Sequence, residues 1–397
     1  MTLIFYEILT TNEIVAKIAA FVPDKSIMKL NLDNAVNYHY GQFPPKQLSY
    51  QGIVRELLAA TDAVARYDQM LKNMHNSEIL LAPMRNQEAV ISSRMEGTIS
   101  TMDEILKYQA DHGEDGGADG GAGVNVRSEV IETILYERAL RNAQKAMEAG
   151  YPLSLSLIKT IHQQLLSFGR GASKSPGELK KEQNYLADKH KGSVLFVPIR
   201  PEKLQDGLDE LFRYIEDESQ PVLIRTALAH VEFEALHPFK DGNGRIGRML
   251  ITLMMWSAGT ISAPHFYVSS YFENNKDLYI DMMRNVSENG AWEEWCGFFL
   301  AAVEEQAVRN LEIAENIHDL YEEMKVRFSE LLASKWSVSA LDFVFTNPVF
   351  RNSRFTKTSG IPEASAARFT RVLLDNDLLT IVEEASGRRA ALYSFEP

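Results

Sequence analysis

Apolar residues recur at three- and four-residue intervals along most of the chain, and strand-like alternation is scarce before the last twenty residues. This spacing predicts helices over 46–74, 87–110, 128–149, 153–167 and 221–236, and from Pro201 onward. Further helices are expected at 249–256 and 274–301, then a long one reaching 333. Gln42-Phe43-Pro44-Pro45 separates the first helix from an extended N-terminal arm, Ser128 is expected to cap the third, and Gly150 to end it. The main interruption is 169–201, rich in Gly, Ser, Lys and Pro. Within it the strand-like Ser193–Val197 follows a turn-like Lys189-His-Lys-Gly192, which reads as a small hairpin. Segment 113–123 holds six glycines and three acids without the spacing of a calcium loop, and reads as a solvated linker.

The last sixty residues change character. Three short helices (338–345, 353–359 and 363–376) precede two strand-like runs, 378–382 and 390–395, the order of a winged helix-turn-helix with 363–376 in the recognition position. The expected fold is therefore mainly α: a helical bundle with a small β-hairpin, plus a C-terminal winged-helix domain. Its divisions are an N-terminal helical region at 1–80, a core at 81–332 and the winged module at 336–397.

With 397 residues the chain is long enough for more than one domain, and a 45% hydrophobic fraction is that of an ordinary globular protein. The net charge of −13 argues against a general nucleic-acid or acidic-membrane surface. From Trp336 onward seven basic residues balance seven acidic ones, so protein contact or homodimerisation is favoured there over DNA contact. A single cysteine, Cys296, fits a reducing cytosol, and Met1-Thr-Leu-Ile-Phe-Tyr-Glu7 lacks the basic start of a secretory signal, so a cytoplasmic location is expected. Segment 249–271 carries no Asp, Glu, Lys or Arg, but Gly259, Pro264 and His265 interrupt it, and no membrane span is expected.

The chemistry concentrates in His237-Pro-Phe-Lys-Asp-Gly-Asn-Gly-Arg-Ile-Gly-Arg248. His237 precedes a proline at a helix end, and Gly242 and Gly244 allow a tight turn whose N–H groups form an anion nest. The following helix adds its N-terminal dipole to the same place. Arg245 and Arg248, at i and i+3, can clamp a polyphosphate. Two decoys lie inside the segment. Gly242-Asn-Gly-Arg-Ile-Gly247 matches G-x-G-x-x-G, but a helix precedes it and the next acid, Glu273, comes too late for a dinucleotide fold. His230, Glu234 and His237 have zinc-ligand spacing, but the residue before Pro238 is pushed off the helical face.

These twelve residues match every specified position of H-x-F-x-[DE]-G-N-G-R-x-x-R, and the chain here resembles the Fic family of nucleotidyl transferases. The resemblance extends over roughly 41–332. Phe196-Val197-Pro198 looks like the family's target-docking flap, and Ser92-Ser-Arg-Met-Glu96-Gly97 like its inhibitory-helix motif. A winged module also accompanies many members. The resemblance implies AMP transfer from ATP to a Ser, Thr or Tyr hydroxyl of a target protein or of the chain itself. It casts His237 as general base and Asp241 as ligand of Mg²⁺ (or Mn²⁺). The backbone of Gly242, Asn243 and Gly244 would cradle the phosphates, Arg245 would take the γ-phosphate and Arg248 would brace the loop or β-phosphate. Asn275 and Tyr279 are adenine-side candidates, and the flap would hold its target by strand addition. Glu96 would inhibit by pairing with Arg245. If the resulting misplacement of ATP costs about 2–3 kcal/mol, activity falls roughly 30–150-fold. Glu96 is also a candidate for orienting water in AMP removal. Where relatives have Gly-Glu-x-Arg, this chain has Gly177-Glu-Leu-Lys180, which keeps charge without the planar fork. Two rivals stand beside this reading: a nucleotide-sensing transcriptional or scaffold protein, and a Fic transferase using another nucleotide.

Overall fold

The computed structural model describes residues 3–7, 32, 34–74, 76–113, 126–188, 193–387 and 389–397. The expected linker beyond Gly113, the hairpin turn Lys189-His-Lys-Gly192 and most of the N-terminal arm lie outside them.

The centre is a pair of almost wholly buried helices, α7 (Val222–Leu236) and α8 (Asn243–Ser257). α6 (Pro201–Glu216), with proline in its first turn, lays its leucines on α7. α1 (Val54–Asn73) begins after a 3₁₀ turn at Tyr50–Gly52 and runs beside α11 (Trp292–Leu332). The expected 274–301 helix is instead α9 (Ser269–Asn274) and α10 (Lys276–Asn289), with α11 restarting after Gly290 at φ 69°. Likewise 87–110 is two helices, α2 (Glu78–Met95) and α3 (Met102–His112). α4 (Ser128–Glu148) starts without the predicted serine cap: Arg127 takes the N-cap position, and Ser128 donates to Glu132 Oε1 (3.3 Å) from inside the helix. α5 (Leu155–Leu165) is capped by Ser154, whose hydroxyl accepts from Leu157 N–H.

The hairpin consists of β3 (Asn184–Asp188) and β4 (Ser193–Val197), antiparallel. β1 (Leu3–Glu7) pairs antiparallel with β3, and β2 (Val36–Asn37) pairs parallel with β4, giving the order β1-β3-β4-β2. His39, just after β2, bridges Glu232 Oε2 and Ser287 Oγ (2.7 Å each), fastening this segment to α7 and α10.

The C-terminal elements run α12 (Ser337–Thr346), β5 (Val349–Arg351), α13 (Asn352–Thr358), α14 (Glu363–Asp375), β6 (Leu379–Glu383) and β7 (Leu392–Phe395). Their antiparallel sheet has the order β5-β7-β6, and β5 had no counterpart in the sequence reading. They enclose a second hydrophobic core that takes in Phe328 and Leu332 from the end of α11 and Ile79 from the start of α2. No helix among the described residues is long and apolar enough to cross a membrane.

Candidate functional site

His237 ends α7 in the left-handed region (φ 47°, ψ 61°), at the residue that the following Pro238 bars from continuing the helix. Its N–H still bonds to Phe233 O (3.0 Å), and Nδ1 lies 3.3 Å from Glu234 O. Burial first, and then the Lys180 side chain, push its pKa down to about 3, against the pull of the Glu234 carbonyl.

Between His237 and α8 the loop folds on itself. Gly242 N–H donates to Asp241 Oδ1 (2.6 Å), and Gly242 adopts φ 79° as the N-cap of α8. The Asn243 side chain does not face a ligand. It is fully buried, accepts from Phe239 N–H and donates to Phe239 O (2.8 Å each), stapling the loop. His162 on α5 supports the loop from below: it accepts from Gly177 N–H (2.8 Å), leaving Nε2–H to donate to Asp241 O (2.9 Å), and stacks on Phe239 at 3.8 Å. Burial lowers its pKa to about 4.

The two arginines have different surroundings. Arg245 is buried, lies 3.6 Å from Asp241 Oδ1, and has no hydrogen-bond partner for Nε or Nη1 among the described residues. Such a guanidinium suits an anion arriving at the helix N-terminus. Arg248 is fully engaged: Nε donates to Ser92 Oγ (2.8 Å), and Nη2 to Ser92 O and Glu96 Oε1 (2.9 Å each). Burial alone would lower its pKa, but Glu96 and its other neighbours outweigh that and keep it charged. The expected Glu96–Arg245 pair is therefore corrected: Glu96 holds Arg248. Residues three apart on a helix face differ by about 60°, and only Arg248 is turned toward α2.

Glu96 is the C-cap of α2. A methyl group placed on Gly244 would come 2.2 Å from Glu96 Oε1 and 2.9 Å from Arg248 Nη1, so the carboxylate lies directly over the first turn of α8. The end of α2 is pinned by Arg94 on Glu273 (two bonds of 2.6 Å) and by Lys276 Nζ on Met95 O (2.8 Å).

One cavity collects His237, Gly244, Arg248, Glu96 and Glu234, with Leu186, Leu195 and Phe196 of the hairpin facing Tyr279, Ile280 and Met283 of α10. Asp241 and Arg245 are not among its lining residues. Tyr279 bonds through its hydroxyl to His230 Nε2 (2.8 Å), while His230 Nδ1 faces Gly247 O (3.0 Å); both nitrogens of His230 are thus engaged inside the core. Asn275 is not brought to the cavity, and its amide donates to Tyr271 O (3.0 Å). Of the flap residues only Phe196 lines it: Val197 O accepts from Tyr38 N–H (3.0 Å), and Pro198 O from Gln183 Nε2 (3.0 Å). The β4 edge expected to receive a target strand carries β2 at Phe196 and Val197.

Sequence reasoning missed Asn184 and His162, and treated Glu234 only as a decoy. Glu234 has an oxygen without a hydrogen-bond partner among the described residues, and burial raises its pKa to about 8, with Arg248 opposing and Glu96 adding to the rise. A lone His or Asn carries no spacing signal, so only packing reveals these roles. No cluster of three or more His, Cys, Asp or Glu suited to a metal occurs among the described residues. A divalent ion at Asp241 would complete its shell with substrate phosphates and water, the usual arrangement for Mg²⁺.

Residues 152–255 match the model of the Fic/DOC family, and residues 54–145 that of the Fic/DOC family N-terminal region. The chain is 28% identical over 159 residues to protein adenylyltransferase fic-1 of Caenorhabditis briggsae, covering 37% of this chain and 30% of that protein. It is 29% identical over 138 residues to a uridine 5'-monophosphate transferase of Xanthomonas campestris pv. campestris (strain 8004), covering 32% and 26%. The matched stretches thus span less than a third of these relatives' lengths. In fold, the chain is similar to a Fic family protein from Desulfovibrio desulfuricans G20, with a TM-score of 0.53 at 15% identity, covering 89% of this chain and 98% of that one.

Proposed function

We propose that this chain, a member of the Fic/DOC family through residues 54–145 and 152–255, transfers AMP from ATP to a Ser, Thr or Tyr hydroxyl of a protein, and that it is autoinhibited. His237 takes the proton of the attacking hydroxyl, whose oxygen bonds to the α-phosphorus. The bond from that phosphorus to the bridging oxygen breaks, and pyrophosphate leaves. Burial keeps the imidazole neutral, so it is available to accept the proton, and general-base help of this kind is worth typically 10²–10⁴-fold. Asp241 would hold Mg²⁺, which neutralises phosphate charge. Arg245 and the first turn of α8 would hold the phosphates, and the apolar cavity between hairpin and α10 the nucleoside.

The observation that carries the reading is the capture of Arg248 by Ser92 and Glu96 directly over Gly244, in the cavity that His237 faces. An anionic carboxylate there repels a phosphate and occupies one of the guanidiniums that would bind it. Incubation of the wild type and Glu96→Gly with α-labelled ATP is expected to put label on protein, far more with the variant, and none once His237→Ala is added. Equal labelling by wild type and Glu96→Gly defeats the inhibition; none by either defeats the transfer. The likeness to a uridine monophosphate transferase supports a second reading with UMP as the transferred group, which α-labelled UTP in parallel decides. Glu96, which lines the same cavity as His237, also supports removal of AMP by an oriented water; purified AMP-modified protein that keeps its label with wild-type enzyme and Mg²⁺ or Mn²⁺ argues against it.

We read 337–395 as the winged module, docking protein rather than DNA. Of its seven basic residues, Arg351 and Arg389 pair with Asp111, Arg354 donates to Gln109 O and Arg368 to Leu332 O. A strong DNA surface needs such charges outward.

A further inference from the structure

The catalytic loop has four consecutive carbonyls, at Leu236, His237, Pro238 and Phe239, and two residues of one other segment reach all of them. Lys180 Nζ donates to Leu236 O (3.0 Å), and the Lys180 backbone N–H to Pro238 O (2.8 Å). Asn184 Nδ2 donates to His237 O (3.2 Å) and to Phe239 O (3.0 Å). The pair is internally tied, since Lys180 Nζ also donates to Asn184 Oδ1 (2.8 Å). Phe239 O also accepts from Asn243, within the loop itself.

Both side chains are deeply buried, at 3% exposure each. A buried lysine that reaches a carbonyl and an amide oxygen, rather than a carboxylate, is a poor choice for stability alone; an apolar residue of similar length would fill the space without its desolvation. Its value lies in where its donors point. His237 stands in a left-handed conformation at φ 47°, which a non-glycine residue keeps only when its surroundings over-determine it.

We propose that Lys180 and Asn184 are positioning residues for transfer: together they hold the four carbonyls of the loop and so fix the His237 imidazole over the cavity. Neither touches the reacting atoms. The inference rests on His237 being the base, and it assigns a role to Lys180. A lysine suffices because the site needs one donor reaching two stacked oxygens, not a planar fork.

The test uses full-length protein in the Glu96→Gly background, with kcat and KM for ATP measured separately. Lys180→Met and Asn184→Ala are each expected to lower kcat by about 10- to 100-fold, the effect of a small misplacement of a catalytic group. KM for ATP is expected to stay within about threefold, because the lost interaction matters only in the transition state. Lys180→Arg, which can still donate to both oxygens, should recover most of the rate. The double variant should be little worse than the poorer single one, since the two act as a unit. If Lys180→Met fails to fold, Asn184→Ala alone carries the comparison. A kcat within about twofold of the parent in Asn184→Ala and any folded Lys180→Met overturns the proposal. So does a parallel loss of kcat, ATP affinity and thermal stability that Lys180→Arg does not restore. A Glu96→Gly parent that labels nothing removes the transfer reading and this inference with it, whereas an active parent with unaffected variants removes this inference alone.

Discussion

Arg248 shows what a residue pattern can and cannot carry. The motif placed two arginines a helical turn apart, and chemistry alone could not say which of them Glu96 would meet. That depends on how α8 is rotated against α2, which side-chain packing decides. If the Glu96–Arg248 contact inhibits as proposed, this arrangement makes the inhibition graded. Ser92→Ala removes the bond to Arg248 Nε but leaves the Ser92 carbonyl and Glu96 in place. A buried hydrogen bond to a charged group is worth about 1.5–3 kcal/mol; with the Ser92 carbonyl and Glu96 still holding Arg248, only about 1.4 kcal/mol of that is expected to reach the contact, so basal transfer should rise roughly tenfold, short of the Glu96→Gly level. Initial rates of label incorporation check this, and a Ser92→Ala rate equal to wild type contradicts it. The titrating groups add a second expectation in the Glu96→Gly background. With His237 pushed down to about 3, the base is unprotonated throughout the neutral range, so kcat should show no acid limb near pH 6.5. Burial still raises Glu234 in this background, but without the share that Glu96 adds, so it gains its negative charge in the cavity at a lower pH than the value of about 8 it has beside Glu96. KM for ATP should therefore increase as the pH rises through the Glu234 transition, and Glu234→Gln should flatten that increase. An inflection of kcat near 6.5, or a KM rise that survives Glu234→Gln, contradicts these assignments.

At the scale of elements, long amphipathic helices were legible because they carry their own signal: spacing, capping residues and glycine stops. Pro201 opens α6 and Gly150 follows α4 as read. The shortest strands, β2 and β5, were not legible, because two or three residues carry no usable period and their pairing is set by distant partners. The division of 87–110 into α2 and α3 was written in the chain but overlooked. Gly97 adopts φ 84°, and Thr101 with Glu104 forms a reciprocal capping box: Glu104 N–H to Thr101 Oγ1 (3.3 Å) and Thr101 N–H to Glu104 Oε2 (2.9 Å). The break is what makes Glu96 a helix end able to lie over α8 rather than a mid-helix side chain. Thr101→Ala removes half of that box and is expected to cost about 1 kcal/mol, lowering the thermal midpoint by roughly 1–3 °C. Calorimetry checks this; an unchanged midpoint means that tertiary packing, not the cap, holds the start of α3.

Across the whole molecule, the sequence reading expected a core ending at 332 and a C-terminal module from 336, and these two parts share structure that no local pattern announces. α11 begins in the main core and ends in the second, and α2 does the reverse: Ile79 at its start belongs to the C-terminal core, while Ser92 and Glu96 at its end hold Arg248. α3 is tied to the same module by Asp111, which accepts from Arg351 Nε and Arg389 Nη2 (2.7 Å each), and these arginines keep its carboxyl below the ordinary range despite burial. The α2–α3 pair therefore stands with one end on the C-terminal module and the other on the cavity that His237 lines, so loosening the first should loosen the second. Asp111→Ala takes one of two carboxylates from the buried Arg351 guanidinium and the half-exposed Arg389 guanidinium, leaving both with Glu383, a loss that loosens the junction without abolishing it. Ile79 remains in place, so only a part, roughly 1–2 kcal/mol, is expected to reach Glu96, raising basal transfer about 5- to 30-fold. The same change in Glu96→Gly should raise nothing further, because the inhibitory contact is already gone. Hydrogen exchange supplies the physical readout: faster exchange in α2 must accompany the gain in rate. If α3 exchanges faster while α2 and the rate stay unchanged, the two ends are not mechanically joined. The module would then be a neighbour of the inhibitory helix and not its anchor.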